Sequence, residues 1–245
     1  MACHDFRTQR LHVSIDLAEG AEIALDRGQA NYVQNVLRLA HGGAVLVFNG
    51  RAGEWHARLA GTKRHAVLIV GSRARRQTAP GELGFAFAPL KHARLDYMVQ
   101  KAVEMGAALL TPVFTRHTQV ARVNLDRMRA NVVEAAEQCG ILSVPSVEEP
   151  LPFEHWLQTL APERVVIFCD EETEIGDPFV ALSRAPAGPP TVVIGPEGGF
   201  AESERAALLA RAPVVRLSLG PRILRADTAG VAALALVQAA RGDWR

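Results

Sequence analysis

At 245 residues, 49% hydrophobic and 22% charged, the chain has the composition of an ordinary globular protein, which excludes a disordered or fibrous one. No apolar run approaches the ~20 residues that cross a bilayer, and the opening run Met1 to Arg7 lacks the apolar core of a signal peptide. Three scattered cysteines (Cys3, Cys139, Cys169) and eight histidines without ligand spacing fit neither a disulfide framework nor a metal site, so a cytoplasmic, metal-free protein is expected. Residues 1–80 hold 11 Arg and Lys against 6 Asp and Glu, whereas residues 81–245 hold 16 against 20, so the net +1 divides into +5 and −4. A basic unit joined to a mildly acidic one suits a nucleic-acid reader attached to a catalytic domain, or merely a solvated basic surface.

In chain order, the first ~70 residues predict short strands with turn punctuation. Leu11–Ile15, Ala44–Phe48, Trp55–Leu59 and His65–Val70 are the strands, and Asn49-Gly50 is a strong turn dipeptide. Gln29–Leu39 is a predicted helix with Val33, Val36 and Leu37 on one face. The polar, basic stretch 71–82 is taken as the connection between domains, with a β-rich domain over 1–75, a linker over 76–82 and a second domain over 83–245. From Leu83 the pattern alternates strands and helices. The predicted strands are Leu83–Leu90, Leu109–Phe114, Val165–Cys169, Thr191–Ile194 and Val214–Leu217. The predicted helices are Arg94–Met105 stopped by Gly106, a helix capped by Asn124 and running to Cys139 before Gly140, Glu202–Arg211, and Thr228–Arg241. Such alternation implies an α/β domain with a mostly parallel sheet.

Open α/β sheets bind ligands beyond the carboxyl ends of their strands, which singles out three loops. Asp170-Glu171-Glu172 follows the first, and acidic residues there are usually solvated. Gly195-Pro196-Glu197-Gly198-Gly199-Phe200 holds three glycines in five residues, which suits either a tight strand-to-helix turn or a close approach to a ligand. It is neither a dinucleotide fingerprint nor a phosphate loop. Ser218 to Thr228 carries Arg222 and Arg225 around apolar Ile223 and Leu224, which suggests packing against an apolar ring; Asp227 is read as a helix N-cap. Gln100, Lys101 and Glu104 share a helical face and, like Glu134, Glu137 and Gln138, read as solvated surface.

Ile194-Gly195-Pro196-Glu197-Gly198-Gly199-Phe200 together with Leu219-Gly220-Pro221-Arg222-Ile223-Leu224-Arg225-Ala226-Asp227-Thr228-Ala229 resembles the paired signature of the RsmE family of RNA methyltransferases. The segments 100–106 (QKAVEMG), 134–140 (EAAEQCG), 35–39 (NVLRL) and 47–50 (VFNG) resemble it too, so the likeness runs the length of the chain. It departs at Asp227, where the family often has Glu, and at Ile141, where an arginine is common. The resemblance implies an α/β methyltransferase domain of the SPOUT class, tied in a trefoil knot against the usual rule of unknotted chains, and preceded by a small PUA-like β-barrel. It implies S-adenosylmethionine as cofactor, lined by Ile194, Gly195, Pro196, Gly199, Leu219, Gly220, Ile223 and Leu224, and a homodimer. It implies methylation of uridine N3 in small-subunit (16S) ribosomal RNA, within the 30S subunit. Uridine N3 must lose a proton to become a nucleophile, and the candidates for stabilising the resulting anion are Arg222 and Arg225. Rival readings are a methyltransferase acting on a ribose 2′-oxygen, an idle RNA-binding or assembly protein, and a generic nucleotide-binding α/β enzyme.

Overall fold

The computed structural model describes residues 7–63, 65–173 and 176–244. The opening run before Arg7, with Cys3, lies outside the described residues. The chain forms two compact units: 1–80 together with 133–144, and 81–132 together with 145–245.

The first unit is a mixed five-stranded sheet. Its strands are β1 (Arg10–His12), β2 (Glu22–Ala24), β3 (Ala44–Phe48), β4 (Glu54–Gly61) and β5 (Ala66–Arg75), in the order β1-β3-β4-β5-β2. Period-two alternation aims Ala57 and Leu59 of β4, and Ala66, Leu68 and Val70 of β5, into a core with Leu11, Val33, Val45 and Val47. Asn49 secures the turn after β3, its side-chain oxygen accepting from the amides of Arg51 (3.0 Å) and Ala52 (2.8 Å) while its amide donates to the Ile15 carbonyl (2.9 Å).

Two expectations for this unit change. The helix expected over Gln29–Leu39 is a short α-helix, α1 (Arg27–Asn31), followed by a π-helical segment over Tyr32–Val36. There the Leu37 amide reaches five residues back to the Tyr32 carbonyl, which rotates later side chains off the α-helical face. Val33 therefore stays buried while Val36 is 62% exposed. Residues 71–75, taken as the start of the connection, extend β5 instead. The reason is Glu54, which is buried at the start of β4 and accepts from Arg75 (2.7 Å) and Arg10 (2.8 Å). Burial pushes its carboxyl up, but the two guanidinium bonds outweigh that and hold it below the ordinary value.

The second unit is the expected α/β arrangement. β6 (Gly84–Phe87), β7 (Leu109–Phe114), β10 (Val165–Cys169), β11 (Pro190–Ile194) and β12 (Val214–Leu217) lie parallel in the order β12-β10-β11-β6-β7, and the short β8 (Ser146–Val147) and β9 (Leu151–Pro152) both add to β7. Phe85, Ala86, Phe87, Val166, Ile167 and Val192 are all but inaccessible, as in a sheet covered on both faces. The helices are α2 (His92–Glu104), α3 (Leu125–Cys139), whose residues from Val133 on belong to the first unit, α4 (Phe153–Thr159), α5 (Pro178–Ser183), α6 (Glu202–Ala210) and α7 (Ala226–Arg241). Asn124 caps α3 through the Arg127 amide (3.0 Å), and Gly106 and Gly140 adopt left-handed conformations after α2 and α3. α7 packs against α2, α5 and β11, and its Gln238 amide donates to the Met105 carbonyl at 2.9 Å. Among the described residues no helix is long and apolar enough to cross a membrane, and no group of three His, Cys, Asp or Glu is placed to hold a metal.

Candidate active site at the carboxyl edge of the parallel sheet

The strand register decides which loops leave from the same edge of the sheet. Cys169 stands opposite Leu217, Phe168 opposite Val193, and Ile194 opposite Phe87. Because these strands are parallel, the segments that follow β6, β10, β11 and β12 leave from one edge of the sheet.

The turn after β11 is tight for identifiable reasons. Ile194 and Pro196 are buried, and the Gly199 amide donates to the Pro196 carbonyl at 2.9 Å with Gly199 at φ +71°. A side chain at Gly195 would strike the Phe200 ring at 2.8 Å, and that ring packs against Phe168 and Phe153. Gly195 is thus required for packing, whereas a Cβ on Gly199 would meet nothing within 4 Å. Two groups brace the turn from outside. His117 Nδ1 lies 3.2 Å from the carbonyl oxygens of Gly198 and Gly199, and the buried Glu204 accepts from the amides of Arg116 (2.8 Å) and Ala201 (2.9 Å).

The loop after β12 repeats the pattern. Gly220 is left-handed at φ +92°, and a Cβ there would also meet open space. Leu219 and Leu224 are half-buried, Arg222 and Arg225 are exposed, and Ile223 is 95% exposed. Ile223 therefore lacks the apolar partner expected for it within the described chain. Asp227, read as an N-cap, lies inside the first turn of α7, whose N-cap is Arg225 with no side-chain cap bond.

Asp227 instead joins an arrangement that sequence reasoning missed. Arg94, in the first turn of α2, donates from Nε to Asp227 (2.9 Å) and from Nη1 to Glu197 of the glycine-rich turn (2.6 Å). The Arg94 hydrogen bond, ahead of the opposing effect of burial, holds the Asp227 carboxyl below its usual value. One guanidinium thus bridges both signature segments. The available signal was a pair of carboxylates, one in each motif, needing a shared cation.

After β10, the expectation of solvated acids fails for Asp170. Its side chain is 2% exposed and accepts from Arg216 (2.7 Å), Arg205 (3.1 Å) and the Glu172 amide (3.1 Å), while Glu171 and Glu172 are exposed. Burial pushes the neighbouring Cys169 thiol up to about 12, so it is no nucleophile near neutral pH. Lys101 and Glu104 pair at 2.6 Å on the side of α2.

The edge therefore presents main chain at two left-handed glycines facing open space, apolar side chains beside it, and two exposed arginines. Such a site takes a ligand with a flat apolar part and polar edges read by backbone groups.

Comparison with known proteins agrees with this architecture. The family model of the RNA methyltransferase domain matches residues 77–238, and that of the RNA methyltransferase PUA domain matches residues 25–70. Ribosomal RNA small subunit methyltransferase E of Synechocystis sp. is 30% identical, the match covering 94% of this chain and 77% of that protein. The protein of the same name from Rickettsia conorii is 28% identical over 94% of both chains. The crystal structure of ribosomal RNA small subunit methyltransferase E from Neisseria gonorrhoeae bound to S-adenosyl methionine matches with a TM-score of 0.82 at 26% identity, covering 95% of this chain and 98% of that one. With the sheet edge, its two signature loops and these likenesses together, the chain belongs to the ribosomal RNA small subunit methyltransferase E family of RNA methyltransferases.

Proposed function

We propose that this chain binds S-adenosylmethionine at the carboxyl edge of its parallel sheet and methylates N3 of a uridine in small-subunit ribosomal RNA. The observation that carries the reading is that the 195–200 turn and the 218–225 loop leave the same edge of the sheet, each offering a left-handed glycine to open space, while Arg94 links Glu197 of the turn to Asp227 just beyond the loop. Ile194, Gly195, Pro196 and Gly199 would form one wall for the cofactor, and Leu219, Gly220, Ile223 and Leu224 the other. The fully exposed Ile223 then gains the apolar partner it lacks. The SPOUT knot belongs to the same proposal, since it is the threading that would hold these two loops together.

When bound, the cofactor supplies an electrophilic methyl group on a sulfonium sulfur. The work left to the protein is to deliver a deprotonated, aligned N3. Arg222 and Arg225 follow the apolar loop and are exposed, which leaves their guanidinium groups able to meet a uracil whose negative charge grows as the N3 proton departs to solvent. N3 lies on the pairing edge, so the target base must be unpaired or flipped outward.

The basic N-terminal domain is assigned to RNA capture, and the partner to the 30S subunit in the cytoplasm. A homodimer is part of the proposal: α7 is rich in alanine, and several of its residues beyond those buried in the fold remain partly accessible for a second copy. Calorimetry with S-adenosylmethionine, ATP and NAD tests the cofactor assignment. Binding of the first alone is expected, with loss in Gly199→Val and Gly220→Val while the melting transition persists. Undiminished affinity in both variants, or preference for ATP or NAD, contradicts it.

A further inference from the structure

A cleft of about 600 Å³ lies between the first turns of α2 and α3, outside the loops assigned above. Its apolar lining includes Leu95, Val99 and Met128, and Lys91, Arg122 and Arg127 are exposed cations on its wall. The cleft's carboxylate, Asp96, is already engaged: Arg127 donates to it at 2.6 Å and Asn131 at 2.7 Å. Among the described residues Lys91 and Arg122 have no ion-pair partner, so the cleft carries two uncompensated positive charges.

Both walls are tied to the glycine-rich turn. α2 reaches it through Arg94 and Glu197, Arg94 standing next to Leu95 and about one turn from Lys91. The segment that carries Val120 and Arg122 reaches it through His117 and the carbonyls of Gly198 and Gly199. A ligand in this cleft would therefore lie beside the proposed methyl donor.

We propose that this cleft receives the single-stranded RNA segment holding the target uridine, its phosphates on Lys91 and Arg122 and a base edge over the apolar floor. The inference rests on the methyltransferase reading. Unneutralised cations over an apolar floor suit a charged, unpaired strand, whereas the centre of a protein interface is depleted of lysine. No Phe, Tyr or Trp lines the cleft and His92 is its one aromatic ring, so recognition there depends on phosphate and shape more than on stacking.

The test uses full-length protein carrying Lys91→Ala, Arg122→Ala and both together. Binding of a uridine-containing ribosomal RNA fragment is followed by anisotropy from low to high salt, beside cofactor calorimetry and methyl-transfer kinetics. Each substitution should lower the log–log salt slope by about 0.7, as for one phosphate contact on a single strand. RNA affinity should fall several-fold, KM for RNA should rise more than kcat falls, and cofactor affinity should stay within about twofold. Lys91→Arg, which keeps the charge, should bind RNA as the wild type does. A double variant with unchanged RNA affinity and slope overturns the assignment while leaving the methyltransferase reading intact. Unchanged RNA binding with an altered sedimentation coefficient overturns it in favour of a second copy of the chain as occupant. A wild-type protein that transfers no methyl group to any RNA overturns the functional reading and this inference with it.

Discussion

Arg94 shows how one side chain can organise a site that it does not line. Its guanidinium fork engages Glu197 and Asp227 at once, fixing the glycine-rich turn relative to the head of α7. A lysine keeps the charge but lacks the two-pronged geometry. We expect Arg94→Lys and Arg94→Met each to weaken S-adenosylmethionine binding by roughly 1 kcal/mol, about fivefold, since the bridges are partly exposed. A double-mutant cycle with Asp227→Asn should be non-additive, because the two changes remove one shared bond. Additive losses, or full affinity in Arg94→Met, would show that the loops hold their places without it. The departure from the family at Asp227 fits this geometry, for the shorter carboxylate still reaches Arg94 at 2.9 Å. For Ile141 the structure offers no explanation of the departure.

At the scale of elements, α3 carries a carboxyl with a measurable consequence. Glu137 was read as surface, yet its side chain accepts from the His12 amide at 2.7 Å. Burial, opposed by that bond and aided by nearby Glu134, raises its carboxyl from 4.5 to about 7. The folded state then holds a proton that the unfolded chain releases between those values, so stability falls as pH rises through that window. Glu137→Gln should melt higher than the wild type above pH 7, with the difference closing below about pH 4.5. A difference independent of pH would contradict this origin. The same helix marks where the sequence was legible. Asn124 and Gly140 bounded it correctly because capping is local chemistry. Likewise β3, an apolar run closed by Asn49-Gly50, and the strands β7, β10 and β12 were readable from their local sequence. A contact distant in sequence was not readable, as where Glu54 draws Arg75 into β5; nor were the local π-turn that turns Val36 outward, or α4 and α5, which are too short to show a period. The two signature loops could be located, but their bridge through Arg94 depends on strand order, which no local pattern encodes.

Across the whole molecule, the excess of positive charge in residues 1–80 bears on how function is divided. Removing residues 1–75 is a poor test of that division, because residues 133–144 belong to the same compact unit. In that unit the Gly140 carbonyl accepts from Arg75 at 2.9 Å, and the deletion would strip such partners from the end of α3. Salt dependence in the intact chain reads the charge without this damage, since phosphate contacts release counterions on binding. The central claim concerns the product, and it is decided on ribosomal RNA from cells lacking this protein and from the same cells supplied with it. A methyl group on N3 blocks the pairing edge and arrests reverse transcriptase, whereas a 2′-O-methyl group leaves that edge free and resists alkaline cleavage instead. Nucleoside mass spectrometry of the small-subunit RNA should show N3-methyluridine lost with the protein and restored by it. Loss of a 2′-O-methylated nucleoside, with N3-methyluridine unchanged, would contradict the account.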